Sequence, residues 1–284
     1  MYTIVRKRAL NKTVTLMEIK APYIAAKAQP GQFVILRAVD DDERVPFAIA
    51  DCNRKEGTVS IIFRAVGATT EKLAHLEEGG FVEDIVGPLG EVTKIEGVST
   101  ACIVVGGVGS AIALPIVQHL KEQGCGVTMI VGFRSKEDFI LEEEFGAASD
   151  RLIPVTDDGS LGSYGNVIVP LKQLFDNGER FDLVFTVGPL AMMKQVVETT
   201  RPTGIPCTVS MNPIMIDGTG MCGGCRLTIH RDGKSFISFA CVEGPEYNGY
   251  EVDFDEAINR DRMYAREELH AHEATCNLFG KAVG

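Results

Sequence analysis

The sequence predicts an α+β and α/β protein in three parts. An N-terminal antiparallel β-barrel covers residues 1–96, a doubly wound parallel α/β domain covers 97–211, and a small cysteine-bearing segment with an acidic tail covers 212–284. Three observations carry this. Short alternating strands separated by turn residues fill the first part, strand and helix patterns alternate from Val98, and glycines interleaved with cysteines follow Met211.

In the first part, T-V-T-L-M-E-I alternates, with Val14 and Leu16 expected to face inward. P-G-Q-F-V-I-L-R and T-V-S-I-I-F-R-A are further strands, with Pro30-Gly31, Glu56-Gly57 and Gly79-Gly80 as turns. Regular spacing of such short strands predicts a small barrel or sandwich. In the second part, A-C-I-V-V is the unbroken β-branched run of a strand buried on both faces. It enters G-G-V-G-S-A and then a helix closed by Gly124. V-T-M-I-V-G-F, R-L-I-P-V-T, F-D-L-V-F-T-V and P-C-T-V-S continue the strands, and L-A-M-M-K-Q-V-V-E-T-T is the last helix of the alternation. In the third part Asp232-Gly233 predicts a hairpin, and an amphipathic helix is expected around Asp261 to His272.

The chain has 284 residues and a formal net charge of −11, which argues against nucleic acid as a partner because phosphate binding needs clustered positive charge. No apolar run approaches the roughly 20 residues of a membrane span. The N-terminal M-Y-T-I-V-R-K-R has no apolar signal region, so a cytoplasmic protein is expected. Its eight cysteines are then not a disulfide framework. Cys102, Cys52, Cys125 and Cys207 read as structural, which leaves the C-terminal group to explain.

G-G-V-G-S-A sits where a strand meets a helix. There Gly107 and Gly109 let backbone approach a pyrophosphate under the positive helix end. The spacing departs from G-x-G-x-x-G and no acidic residue ends the next strand, where G-F-R-S stands, so a plain tight turn remains the alternative. V-G-P-L-A-M-M adds a second loop on the same carboxyl edge. Arg134 could pair a 2′-phosphate or merely cover an adenine. In the first part, R-V-P-F-A-I and F-R-A-V-G-A-T-T place Arg44, Arg64, Gly67, Thr69 and Thr70 where a phosphate-bearing ligand could be held; solvent-facing arginines are the bland reading.

Taken in order, P-G-Q-F-V, R-V-P-F-A-I, F-R-A-V-G-A-T-T, D-I-V-G-P-L-G, G-G-V-G, G-F-R-S and V-G-P-L-A-M-M resemble the ferredoxin–NADP reductase superfamily over essentially the whole chain. Within it the chain is similar to electron-transfer subunits of dihydroorotate dehydrogenase. It is more similar still to the small subunits of NADH-dependent reduced ferredoxin:NADP oxidoreductases, also labelled sulfide dehydrogenase-like. The resemblance implies an oxidoreductase with FAD in the barrel and NAD(H) in the α/β domain, and no catalytic acid or base, since the cofactors carry the hydride. By position, Arg44, Pro46, Phe47, Ala48 and Phe63 would line the flavin, and Arg64, Gly67, Thr69 and Thr70 would hold its ribityl and phosphate parts. Ala48 stands where relatives carry Ser or Thr. Gly107, Val108, Gly109, Arg134, Ser135, Gly188 and Pro189 would carry the nucleotide.

Plant-type iron–sulfur binding uses C-x₄-C-x₂-C and a distant fourth cysteine. D-G-T-G-M-C-G-G-C keeps that spacing with Asp217 first, then Cys222 and Cys225, and Cys241 follows the hairpin. The resemblance implies a [2Fe–2S] cluster held by these four, with Cys276 as the alternative fourth ligand. A structural zinc site in an interaction module and a thioredoxin-like pair are the competing readings of the CxxC. The implied partner is a larger iron–sulfur flavoprotein, similar to the glutamate synthase small subunit, which exchanges electrons with ferredoxin by bifurcation.

Overall fold

The computed structural model describes residues 1–40, 42–264, 266, 267 and 270. The N-terminal part contains β1 (Tyr2–Ala9), β2 (Val14–Lys20), α1 (Pro22–Ala25), β3 (Phe33–Arg37), β4 (Arg44–Ala48), β5 (Asp51–Asn53), β6 (Thr58–Arg64), α2 (Ala68–His75), β7 (Phe81–Val82) and β8 (Asp84–Leu89). Every pairing is antiparallel, in a five-stranded sheet ordered β5-β6-β2-β1-β7 and a three-stranded one ordered β4-β3-β8. The two sheets share one apolar core, to which Ile4, Met17 and Ile61 come from the larger sheet and Val34, Leu36 and Phe47 from the smaller.

The second part runs β9 (Thr100–Gly106), α3 (Gly109–Glu122), β10 (Gly126–Phe133), α4 (Glu142–Ala148), β11 (Arg151–Thr156), β12 (Ser163–Tyr164), α5 (Ile168–Asp176), β13 (Leu183–Val187), α6 (Leu190–Thr200) and β14 (Cys207–Ser210). Alternation of side chains along the strands decides the layering. Ala101, Ile103 and Val105 of β9 pack with α3 and α4, whereas Cys102 and Val104 face α5 and α6. The largest buried rings, Phe145 and Phe185, are fully enclosed, each worth about 2–3 kcal/mol of burial. Sheet order β12-β11-β10-β9-β13-β14 reverses direction between β9 and β13, which opens a crevice at their carboxyl ends.

The third part contributes the hairpin β15 (Arg226–Arg231) and β16 (Lys234–Phe239), then β17 (Glu246–Asn248) and α7 (Phe254–Asp261). β17 joins β14 antiparallel and so extends the parallel sheet, a link that spacing alone does not announce. Cys225, Cys241, Leu227 and Phe254 share one core with Val184 and Met193 of the sheet domain and with Phe33 and Ile35 of the barrel. α7 precedes the helix expected around Asp261 to His272, and Asp253 caps it by accepting a hydrogen bond from the Glu256 amide at 2.9 Å. Within the span from Asp261 to His272, residues 265, 268, 269, 271 and 272 lie outside the described residues.

Glu246 ties the parts together. Its carboxylate accepts from Thr93 Oγ1 at 2.7 Å and lies so close to Gly31 that a Cβ there would come within 3.0 Å of Oε1. The residue is partly exposed, but its carboxyl is enclosed, and burial pushes its pKa from 4.5 up to about 7, with Thr93 opposing. A value raised in the folded state stabilises the fold fully below about pH 4.5, and that contribution is lost as pH rises through about 7. Relative to Glu246→Gln, the parent should lose about 3 kcal/mol of unfolding free energy between pH 4.5 and 8, read by denaturant titration. Parallel pH profiles for the two proteins would contradict the assignment.

Candidate functional site

The crevice between β9 and β13 opens onto a cleft of about 510 Å³, within the size range of cofactor sites. The barrel supplies one wall through Pro46, Phe47, Ala48, Phe63 and Arg64. The α/β domain supplies another through Val108, Gly109, Gly188 and Pro189. Met211, the last residue of the α/β domain, and Asn212, Met215 and Pro245 of the C-terminal part close a third. Phe47 and Phe63 meet edge-to-face at 5.8 Å between centroids, which fixes the apolar barrel wall.

A second chamber of about 310 Å³ continues from it, sharing Arg64, Gly107, Val108 and Pro189. It is lined further by Arg134 at the end of β10, by Asp157 at the end of β11, and by Asn166 before α5. Asn11 and Thr13, on the turn between β1 and β2, reach in from the barrel, and Asn11 Nδ2 donates to the Asp138 carbonyl at 3.2 Å.

The two glycine loops touch backbone to backbone. A Cβ on Gly109 would meet Gly188 Cα at 3.0 Å and the Val187 carbonyl at 3.1 Å, so any larger residue would push the two loops apart by a few tenths of an ångström. Gly107 has φ +57°, and nothing lies within 4 Å of where its Cβ would stand, so its backbone faces open space. Arg64 Nε is buried without a hydrogen-bond partner among the described residues, an orphaned donor at the junction of both chambers. Such a donor fits an anionic or acceptor-rich ligand, and the flat apolar wall fits an aromatic ring system.

Other residues expected at the ligand stand to the side. Arg44 does not line the cleft; its guanidinium donates to Asp84 Oδ2 at 2.7 Å. Thr69 Oγ1 lies 3.4 Å from Asp42 Oδ1, and Ser135 Oγ donates to Asp138 Oδ2 at 3.2 Å. Gly67 begins α2, where Thr70 Oγ1 accepts from the Gly67 and Val66 amides at 3.0 and 3.1 Å and holds the turn beside the cleft. The sequence reading missed Met211, Asn212, Met215 and Pro245, because no periodicity brings the third part back over the cleft. It also passed over Asp157, although an aspartate just past a strand on the carboxyl edge was a readable signal.

The cysteine segment presents its donors in two pairs. Cys225 and Cys241, both buried, have their sulfurs 3.3 Å apart. Asp217 accepts from the Thr219 amide at 2.8 Å and from the Cys222 amide at 2.9 Å, and these bonds hold its carboxyl below the usual range. Asp217 therefore makes the turn and also stands beside Cys222. Burial and the neighbouring Cys225 push the Cys241 thiol up to about 12, so a cation must replace its proton for it to ligate. Among the described residues no three His, Cys, Asp or Glu side chains converge on one ion; the donors stand as two pairs, Cys225 with Cys241 and Asp217 with Cys222. Cys276 lies outside the described residues. No helix among them is long and apolar enough to cross a membrane.

Residues 212–253 match the family described as the iron-sulfur cluster binding domain of dihydroorotate dehydrogenase B. The chain is 41% identical to the Thermotoga maritima dihydroorotate dehydrogenase B (NAD(+)) electron transfer subunit homolog, over 98% of this chain and 97% of that one. It is 33% identical to the dihydroorotate dehydrogenase B electron transfer subunit of Desulforamulus reducens, over 83% and 91%. Among solved structures, that of an NADH-dependent reduced ferredoxin-NADP oxidoreductase superposes with TM-score 0.89 at 41% identity, covering 96% of this chain and 97% of that chain. Phthalate dioxygenase reductase shares the fold, with TM-score 0.60 at 17% identity, over 84% and 76%.

Fold and site thus define an oxidoreductase electron-transfer subunit of the ferredoxin reductase type, with a C-terminal iron–sulfur-binding part. The chain belongs to the family of dihydroorotate dehydrogenase B electron-transfer subunits and their homologues.

Proposed function

We propose that the chain binds FAD in the larger cleft, exchanges hydride with NAD(H) entering by the second chamber, and passes single electrons through a [2Fe–2S] cluster to a partner flavoprotein. The observation that carries this is the shared wall. Met215 lines the cleft, and Asp217 follows two residues later, a reach of at most about 7 Å. Bound FAD supplies the conversion between two-electron and one-electron transfer.

The chain's own residues position the parts. Phe47 and Pro46 offer the ring face, and Arg64 offers its unpaired donor to the phosphate side. Gly107 and Gly109 let backbone amides approach the nucleotide. Asp217, Cys222, Cys225 and Cys241 hold the irons. Their loop is rimmed by exposed Ile216, Met221 and Val242, an apolar collar suited to a docked subunit. The oxidoreductase of known structure, described in terms of flavin-based electron bifurcation, supports a bifurcating complex as the setting. In that setting the partner would be a glutamate synthase-like flavoprotein, with ferredoxin as a further carrier. The names of several relatives support dihydroorotate dehydrogenase instead. Asp217 in place of a thiolate favours the former.

Anaerobic mixing with NADH tests the reading. Flavin absorbance should bleach, and a binuclear iron signal should follow. Colourless protein carrying zinc would overturn it in favour of an interaction module.

A further inference from the structure

Two arginines grip the short bridge between Cys222 and Cys225. Arg226 donates to the Gly223 carbonyl at 3.3 Å from an exposed position, and Arg260 donates to the Gly224 carbonyl at 3.2 Å from a partly buried one. A trans peptide is planar, so its carbonyl and its amide point in opposite directions. When Arg226 draws the Gly223 carbonyl outward, the Gly224 amide turns inward, and it lies 3.5 Å from Cys222 Sγ. Arg260 holds the Gly224 carbonyl one peptide further on, and the amide of that peptide belongs to Cys225.

Arg260 is also held firmly. It lies near the end of α7, whose start is capped by Asp253, whose Asp255 pairs with Lys194 at 2.8 Å, and whose Phe254 and Ala257 are buried in the core that contains Cys225 and Cys241. The next residue, Asp261, lines the cleft. The end of α7 therefore contacts both the cysteine loop and the cleft.

We propose that Arg260 is a positioning residue for the cluster, aiming the Cys225 amide inward and raising the cluster's reduction potential with its fixed positive charge. The proposal rests on the iron–sulfur reading above. Three thiolates and one carboxylate place four negative charges around the irons, and reduction adds another, so a nearby cation favours the reduced form. A partly buried guanidinium is screened less than the exposed one on Arg226. Bonds from outside the ligand set orient the ligands and tune the metal.

The test compares Arg260→Gln, Arg260→Lys and Arg226→Gln in the full chain, purified anaerobically, by potentiometric titration of the cluster signal. At the parent's midpoint, Arg260→Gln should lower the reduced-to-oxidised ratio about threefold to tenfold, a downward shift of up to about 59 mV for one electron. Arg260→Lys should stay near the parent, and Arg226→Gln should shift less and lose its effect in salt. An unchanged midpoint in Arg260→Gln, or equal shifts at both arginines, overturns the proposal. Hydrogen exchange across 222–225 in the iron-free chain gives a second readout: faster exchange in Arg260→Gln supports the positioning, and identical exchange overturns it. Parent protein without iron and sulfide would sink the iron–sulfur reading itself, while the exchange comparison would still judge Arg260.

Discussion

Cys225→Ala should abolish the iron–sulfur centre while leaving the flavin in place. Cys225 is 1% exposed and lies 3.3 Å from the Cys241 sulfur, so alanine strands a buried thiol with no second donor beside it. Removing the small side chain costs the fold only about 1 kcal/mol, well within the margin of a domain of this size. Neither Cys225 nor Cys241 lines the cleft, so NADH should still bleach the flavin. Delivery to a one-electron acceptor should fall at least about 100-fold, since even outer partners of metal ligands cost 10–100-fold. Iron and sulfide analysis with stopped-flow flavin reduction checks both halves. Cys52→Ser, at a half-exposed barrel position, should change neither. Retention of a full complement of iron by Cys225→Ala would remove it from the ligand set.

Gly109→Ala should damage the nucleotide site more than the fold. The added methyl would lie 3.0–3.1 Å from the Gly188 backbone and the Val187 carbonyl. No flexible side chain stands there to yield, so the two loops must part. Overpacking of this kind costs about 1–3 kcal/mol. The loops form the floor shared by the barrel and sheet walls, so their separation widens the cleft where ring and nucleotide must meet. NADH affinity should drop by roughly tenfold to 100-fold, equivalent to the same strain. Flavin content should fall less, because the barrel side is untouched. The comparison variant is Gly124→Ala, with φ +79° and no atom within 4 Å, which should lose stability without selective loss of NADH binding. Equal effects of both substitutions on NADH affinity would show that the close approach has no special role.

The two periodicities made most of the fold legible. Alternation in T-V-T-L-M-E-I marks β2, but Met17 and Ile19 enter the core between the two N-terminal sheets while Val14 and Leu16 face the α/β domain. The unbroken A-C-I-V-V marks β9 as a strand covered on both faces, as the two cores on either side of it show. The glycine loops were visible because close backbone approach favours glycine, and Gly109 and Gly188 do pack on each other. Contacts made by chain reversal were not legible. β17 pairs with β14 across 35 intervening residues, and Met215 reaches the cleft from a stretch with no pattern. Arg44 illustrates a different limit. The motif marks the residue, but its partner Asp84 lies on β8, and only the register of β3 between β4 and β8 brings them together. Arg260 has no spacing signal at all, because it acts through a carbonyl in another element.

Electron flow across the shared wall at Met215 is most directly tested by rapid mixing with NADH under anaerobic conditions, quenching samples in time. Isoalloxazine colour should be lost first, and the paramagnetic two-iron signal should rise afterwards, from the same molecules. Irons that stay oxidised while the flavin is fully reduced, at a potential where the cluster accepts electrons, would contradict it.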